Sequence, residues 1–241
     1  MSAPEISVVI PFFDERDNLP ELVPELVRMM DSLPDRTFEV VLVDDCSTDG
    51  GSEVAAALAR ADSRLRLLRH ARNYGQSAAL ASGLAAARGA VVVTLDADLQ
   101  NDPADVPRLL ATLEGCDLVS GVRTERRDSW LRRVSSRVAN RVRAAVLHDG
   151  ISDVGCSLKA FRTELLRELP VFDGMHRFLP ALLALRGARI REIPVHHRPR
   201  RHGRSKYGVH NRLWRGLADL RGVRWLQRRS IGQREVEEIE A

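Results

Sequence analysis

The chain has 241 residues, 44% of them hydrophobic and 29% charged, with 37 basic against 33 acidic side chains and a net charge of +4. That length suits one large domain or two small ones, with enough apolar residues for a sizeable core. The composition excludes a disordered acidic chain, a collagen-like repeat and a disulfide scaffold. Lys159 and Lys206 are the only lysines among the basic residues, so single arginines are weak evidence here. Cys46, Cys116 and Cys156 offer no CxxC metal spacing, and a reduced, intracellular compartment is the simple expectation. The opening MSAPEISVVIPFF puts no basic stretch ahead of its apolar run, so no secretory signal is expected. No uncharged apolar run approaches the ~18–20 residues that cross a bilayer. The chain is expected to be soluble or to lie on a membrane surface.

Ile6–Phe13 reads as a short buried strand ending in an acidic turn. Leu19, Leu22, Val23, Leu26, Met29 and Met30 then recur at helical spacing over Asn18–Ser32. Glu39–Val43 is a second β-branched run, closed by the turn signal DDCSTDGG. A helix over Val54–Ala61, a strand at Leu65–Leu68 and an alanine-rich helix over Gln76–Ala87 follow. Ala90–Leu95 is a further buried strand, Pro103–Leu113 a helix with proline in its first turn, and Leu118–Val122 a strand. Further on, Trp130–Leu147 and Asn211–Gln227 read as helices and Arg189–Val195 as a strand. Four continuous apolar strands separated by helices predict an α/β fold: a doubly wound parallel sheet covered on both faces. No linker is visible, so one domain with a C-terminal elaboration is expected.

In such sheets ligands sit at the carboxyl ends of strands. The polar clusters PFFDE, DDCSTDG and DADLQND all fall there. Asp96, Asp98 and Gln100 alternate along the last of these, and alternate residues of an extended segment share a face. Their oxygens can converge on a hard divalent cation that bridges substrate phosphates. A surface turn or helix cap is the plain alternative for any D-x-D triplet. Asp44-Asp45 has two readings as well: a hydrogen bond to a nucleobase or ribose, or a turn whose Ser47, Thr48 and Asp49 cap the next helix.

Together SVVIPFFDE, VLVDDCSTDG, NYGQSAAL, VVTLDADLQNDP, SGVR and HGRSKYG resemble the family-2 glycosyltransferases, and within them the dolichyl/polyprenyl-phosphate mannose or glucose synthase branch. The resemblance runs from residue 5 to about 226. It implies a GT-A fold with a mixed central sheet, and inverting transfer of a hexose from a nucleotide-diphosphate sugar with Mg²⁺ or Mn²⁺. Residues 1–123 would be the nucleotide-binding half, 124–229 the acceptor- and membrane-facing half of the same domain, and 230–241 a short charged tail. Carried over by motif, Pro11, Phe13 and Glu15 would contact the nucleotide, with Phe13 and Asp14 standing where relatives carry Tyr and Asn. Val43 and Asp45 would do the same from the second strand. Asp96, Ala97, Asp98 and Gln100 match the metal and diphosphate segment, and Arg123 an arginine near the donor diphosphate. Gln76 stands where many relatives carry lysine or glycine and receives no role.

Arg200, Arg201, His202, Arg204 and Lys206 crowd a loop with Gly203 and Gly208. It reads either as a clamp over the donor phosphates or as a solvated basic loop. Its likeness to the family's His-Gly-x-Ser-Lys loop favours the clamp, with Arg201 and Lys206 on the donor and Lys206 joining Asp98 and Arg123 as a catalytic residue. A polyprenyl phosphate acceptor is already anionic and needs no general base. By resemblance Arg132, Arg133 and Ser136 would hold its phosphate, and Asp153 is the fallback base if the acceptor is a hydroxyl. The stripes Trp130, Leu131, Val134, Val138, Val142, Ala145, Val146 and Leu213, Trp214, Leu217, Leu220, Val223, Leu226 are fringed with arginine. They suit either a core or an anionic membrane surface. The expected enzyme is cytoplasmic, peripheral at the inner face of the membrane directly or through a partner protein, using GDP-mannose, UDP-glucose or UDP-N-acetylglucosamine. A polysaccharide or protein acceptor is the alternative. The sequence pI of about 9.4 permits a nucleic-acid-binding module, but no recognition motif supports one.

Overall fold

The structure, a computed structural model, describes residues 3–124, 143–147, 150–166, 169–202 and 210–230. Strands and helices alternate first: β1 (Ile6–Phe12), α1 (Leu19–Asp31), β2 (Phe38–Asp44), α2 (Gly51–Ala61), β3 (Leu65–Arg69), α3 (Gln76–Ala86), β4 (Val91–Thr94), α4 (Val106–Leu113) and β5 (Leu118–Arg123). β6 (Lys159–Arg162), α5 (Leu179–Ala184), β7 (Ile190–Val195) and α6 (His210–Arg229) follow. The elements read from the first half are present, with ends shifted by no more than a turn. β6 and α5 are additions. KAFR carries a charge at each end, and LPALLA is too short and too uniformly apolar to show a period.

Among the described residues the strands form one seven-stranded sheet in the order β3-β2-β1-β4-β6-β5-β7. β1 pairs in parallel with β2 and β4, β2 with β3, and β5 with β7. β6 runs antiparallel to both β4 and β5. The sheet is therefore mixed, and the other strands all point one way. One edge collects the carboxyl ends of β1, β2, β4, β5 and β7 together with the amino end of β6.

Alternation along the strands divides the core. Ile6, Val8, Ile10 and Phe12 of β1 pack with Leu19, Leu22, Leu26 and Met30 of α1 on one face. Val9 and the β2 residues Val41 and Val43 pack with Ala79, Leu80 and Leu84 of α3 on the other. A Cβ on Gly83 would lie 2.4 Å from Val9 Cγ1, so α3 reaches the sheet this closely only because residue 83 is glycine. Pro11 is tolerated in a central strand because β4 pairs only as far as Val9↔Thr94, and its nitrogen points past that end. Leu220 and Val223 of α6 are buried in the second core, so that part of the arginine-fringed stripe is core. Trp225, outside the stripe, is 61% exposed. Among the described residues no helix is long and apolar enough to cross a membrane.

The amino edge is closed by a buried network. Ser7 Oγ donates to Glu39 Oε1 at 2.7 Å, Arg66 Nη1 to Glu39 Oε2 at 2.8 Å, and the Arg88 N–H to Glu39 Oε1 at 2.8 Å. Burial raises the Glu39 pKa, but these bonds and the Arg66 charge outweigh it and leave the carboxyl below its ordinary range.

Candidate active site

The loops of the carboxyl edge are strained where those strands end. Asp14 after β1, Cys46 after β2 and Leu99 after β4 have φ of 51°, 66° and 61°. Asp tolerates this left-handed region; a leucine is held there only by its surroundings. Leu99 is buried, and exposure alternates along Asp96–Gln100, with Ala97 and Leu99 inside and Asp96, Asp98 and Gln100 part-exposed. The three polar side chains thus share a side although the segment turns at Leu99.

Asp96 and Asp98 lie close enough to repel. Burial and the charge of Asp98 push the Asp96 carboxyl up to about 6, against which Ser157, Lys159 and Gln76 act. Gln76 Nε2, from the first turn of α3, donates to Asp96 Oδ1 at 3.0 Å. Ser157 is itself fixed by Asn101 Nδ2 at 2.6 Å and by its own carbonyl, which accepts from Thr94 Oγ1 at 2.6 Å. The ammonium of Lys159, at the start of β6, is buried and donates to the Cys156 carbonyl. Burial lowers its pKa, and the nearby charge of Asp96 works in the opposite direction. Asp98 Oδ1 accepts from the Gln100 N–H at 3.1 Å, and Asp98 Oδ2 accepts from Arg200 Nη2 at 2.6 Å. The Gln100 amide faces His197, Nε2 to Nε2 3.4 Å, beside an Asn101↔His197 bridge.

On β5 and the segment before β6, Arg123 and Asp153 form a bidentate pair. Arg123 Nε and Nη2 each donate to an Asp153 oxygen at 2.8 Å, and the Arg123 N–H adds a bond at 3.2 Å. Asp153 is 2% exposed. A buried carboxylate so engaged aims an arginine.

Asp45 is buried and accepts from His70 Nδ1 at 2.7 Å, the Tyr74 N–H at 2.9 Å and the Gly75 N–H at 2.7 Å. It organises the loop from β3 to α3 at the same edge. Asp14 Oδ1 accepts from the Thr48 N–H at 2.7 Å, and Ser47 Oγ accepts from the Asp14 N–H at 3.0 Å, tying the first two loops together. Asp49 accepts from the Gly51 N–H at 2.8 Å and from the Arg16 N–H at 2.9 Å, one residue ahead of the Gly50 N-cap of α2. Glu15 accepts from Asn18 Nδ2. Pro11 and Phe13 are half-buried and Val43 is fully buried, so a contact from Val43 to a ligand would come from its backbone. Arg201 pairs with Glu21 of α1. Arg132, Arg133, Ser136 and Lys206 lie outside the described residues.

The edge thus brings together Asp96, Asp98, Gln100, Arg123, Asp45 and Glu15. It adds Gln76, His197 and Arg200, to which the sequence reading assigned no separate contact. Gln76 opens a helix and His197 lies two residues past β7, and only the fold sets them beside the D-x-D turn. Among the described residues no three His, Cys, Asp or Glu side chains enclose a point. Two adjacent carboxylates, with an amide and an imidazole close by, form an open, oxygen-rich set. It fits a divalent ion completed by substrate oxygens, whose charge would relieve the repulsion that raises Asp96.

The glycosyl transferase family 2 profile matches residues 7–170. The chain belongs to this family. It is a glycosyltransferase with the GT-A fold. It is 39% identical over 230 residues to the dodecaprenyl-phosphate galacturonate synthase of Rhizobium johnstonii, covering 93% of this chain and 68% of that protein. It is 40% identical over 206 residues to the undecaprenyl-phosphate 4-deoxy-4-formamido-L-arabinose transferase of Edwardsiella ictaluri, covering 85% and 63%. The transferase therefore spans about two thirds of the length of these relatives. A mannosyltransferase from Pyrobaculum calidifontis, solved with GDP-Man and Mn²⁺, matches with a TM-score of 0.63 at 25% identity over 97% of this chain and 66% of that one.

Proposed function

We propose that this transferase moves a sugar from a nucleotide-diphosphate donor to a polyprenyl phosphate, with Mg²⁺ or Mn²⁺ held by Asp96 and Asp98. The carrying observation is the Asp96–Asp98 pair at the carboxyl edge, where each carboxylate is oriented by a separate neighbour. Gln76 and Ser157 aim Asp96, the turn at Gln100 aims Asp98, and Gln100 and His197 stand by to complete the set. A bound divalent ion would neutralise the diphosphate as it leaves. Arg123, braced by Asp153, supplies a fixed positive charge for the same group. Asp45 orders the β3–α3 loop, and with Pro11, Phe13 and Glu15 at the end of β1 it would contact the nucleoside.

The phosphate acceptor is supported by the two curated relatives, both named for polyprenyl-phosphate transfer. The commitment of Asp153 to Arg123 agrees with it. A hydroxyl acceptor needs a base to take its proton, and the fallback base is already paired. A phosphate acceptor brings its own anionic oxygens. Contact with the membrane would be peripheral in the described part, at the cytoplasmic face where nucleotide sugars are made. A panel of labelled UDP- and GDP-sugars with undecaprenyl phosphate and Mn²⁺ tests the reading: a labelled lipid product is expected. Label appearing only on a polysaccharide or protein acceptor would overturn it.

A further inference from the structure

Building on the reading of Asp96 and Asp98 as metal donors, we propose that Arg200 is an internal rival of the divalent ion, holding the Asp98 oxygen that the ion must take. The guanidinium sits on Asp98 Oδ2 at 2.6 Å. The other oxygen, Oδ1, is used by the Gln100 N–H inside the turn. Oδ2 carries no bond within the turn and is the oxygen the guanidinium holds, so a guanidinium and a metal ion at Oδ2 compete for it. The pair is half-enclosed, with Arg200 29% and Asp98 13% exposed, so the attraction is stronger than that of a surface ion pair.

The strap that carries Arg200 is fastened on both sides of it. The Arg198 N–H donates to the Gln100 carbonyl at 2.8 Å. The Arg198 guanidinium grips Glu25 of α1 at 2.8 and 3.0 Å and Asp102 at 2.7 Å. Arg201 grips Glu21 of α1. With the backbone held at 198 and the Arg201 side chain turned to α1, Arg200 is the arm that reaches inward to the carboxylate turn. Arg200 is also paired with Glu15, whose Oε1 lies 3.9 Å from Arg200 Nη1. Arg200 can thus leave Asp98 by a short swing without being stranded. Because ion and arm exclude each other at one oxygen, occupancy by the ion and the position of the arm are thermodynamically linked. The ion then releases a cation next to the diphosphate it helps to bind.

Mn²⁺ titration of the full chain, followed by electron paramagnetic resonance of the free ion, tests this without turnover. Wild type is compared with Arg200→Gln, Asp98→Asn and Arg189→Gln. The last removes the same charge from an ion pair with Asp117 at the opposite edge of the sheet. Arg200→Gln is expected to bind Mn²⁺ about ten-fold tighter than wild type, the size of one partly enclosed charge pair, while Arg189→Gln binds as wild type does. Equal or weaker binding by Arg200→Gln overturns the proposal. If Asp98→Asn loses binding in the same series, the metal reading survives that failure. Equal tightening in Arg189→Gln also overturns it, since overall charge then explains the gain. Binding by none of the proteins overturns the metal reading and the proposal together.

Discussion

Two carboxylates at opposite edges of one sheet, Glu39 buried and Asp96 part-exposed, have opposite fates. Glu39, at the amino edge, is surrounded by donors from Ser7, Arg66 and Arg88, and its carboxyl is held below the ordinary range. Asp96, at the carboxyl edge, faces another carboxylate and is driven up to about 6 by burial and that neighbour. Both sit beside central parallel strands within the same fold. The difference lies in what surrounds them: Glu39 is met by donors from three sides, whereas Asp96 has a second carboxylate beside it whose outward oxygen is held by Arg200. A stable fold tolerates the second arrangement only at a site that something else completes. The positive-φ residues Asp14, Cys46 and Leu99 gather at the same edge as Asp96.

Breaking each carboxylate in turn separates function from stability. Asp98→Asn should lower turnover by about a hundred-fold or more, with little change in melting temperature, as measured by lipid-product formation beside a thermal melt. Glu39→Gln should do the reverse. Losing a charged acceptor with buried partners should cost about 1–3 kcal/mol in urea unfolding, with unchanged turnover per folded molecule. The pH dependence follows with its sign. A carboxyl depressed in the folded state stabilises above its unfolded pKa of about 4.3, and that contribution is lost as pH falls through the lower folded value. Wild-type stability should therefore fall below about pH 4 more steeply than that of Glu39→Gln, as urea midpoints across pH 3–6 would show. The smallest effect is expected for Asp96→Asn: unchanged stability or a gain on the order of 1 kcal/mol at neutral pH, because it removes a charge the fold disfavours. A clear loss would place Asp96 with Glu39 as a structural carboxylate.

The first half of this fold was legible because its central strands are continuous apolar runs and α1 shows its helical period. Position then followed from one rule, that ligands gather at carboxyl ends of strands. What escaped is held by pairings across long sequence separations, which leave no periodic mark. β6 is four residues long and hides a buried lysine between β4 and β5. Asp153 read as a fallback base because its partner, Arg123, lies thirty residues earlier. Arg200 and Arg201 are neighbours in an arginine-rich loop, yet one reaches Asp98 and the other Glu21. Trp225 fell outside the apolar stripe because the face that α6 buries is set by Leu220 and Val223.

On the proposed reading, Asp96 and Asp98 grip a nucleotide diphosphate through a divalent ion. Calorimetric titration of UDP and GDP into wild type and Asp98→Asn, with and without Mn²⁺, addresses it directly. Binding of at least one nucleotide should appear in wild type only with Mn²⁺ and disappear in Asp98→Asn. Equal binding with and without the ion, or undiminished Mn²⁺-dependent binding in the variant, would contradict it.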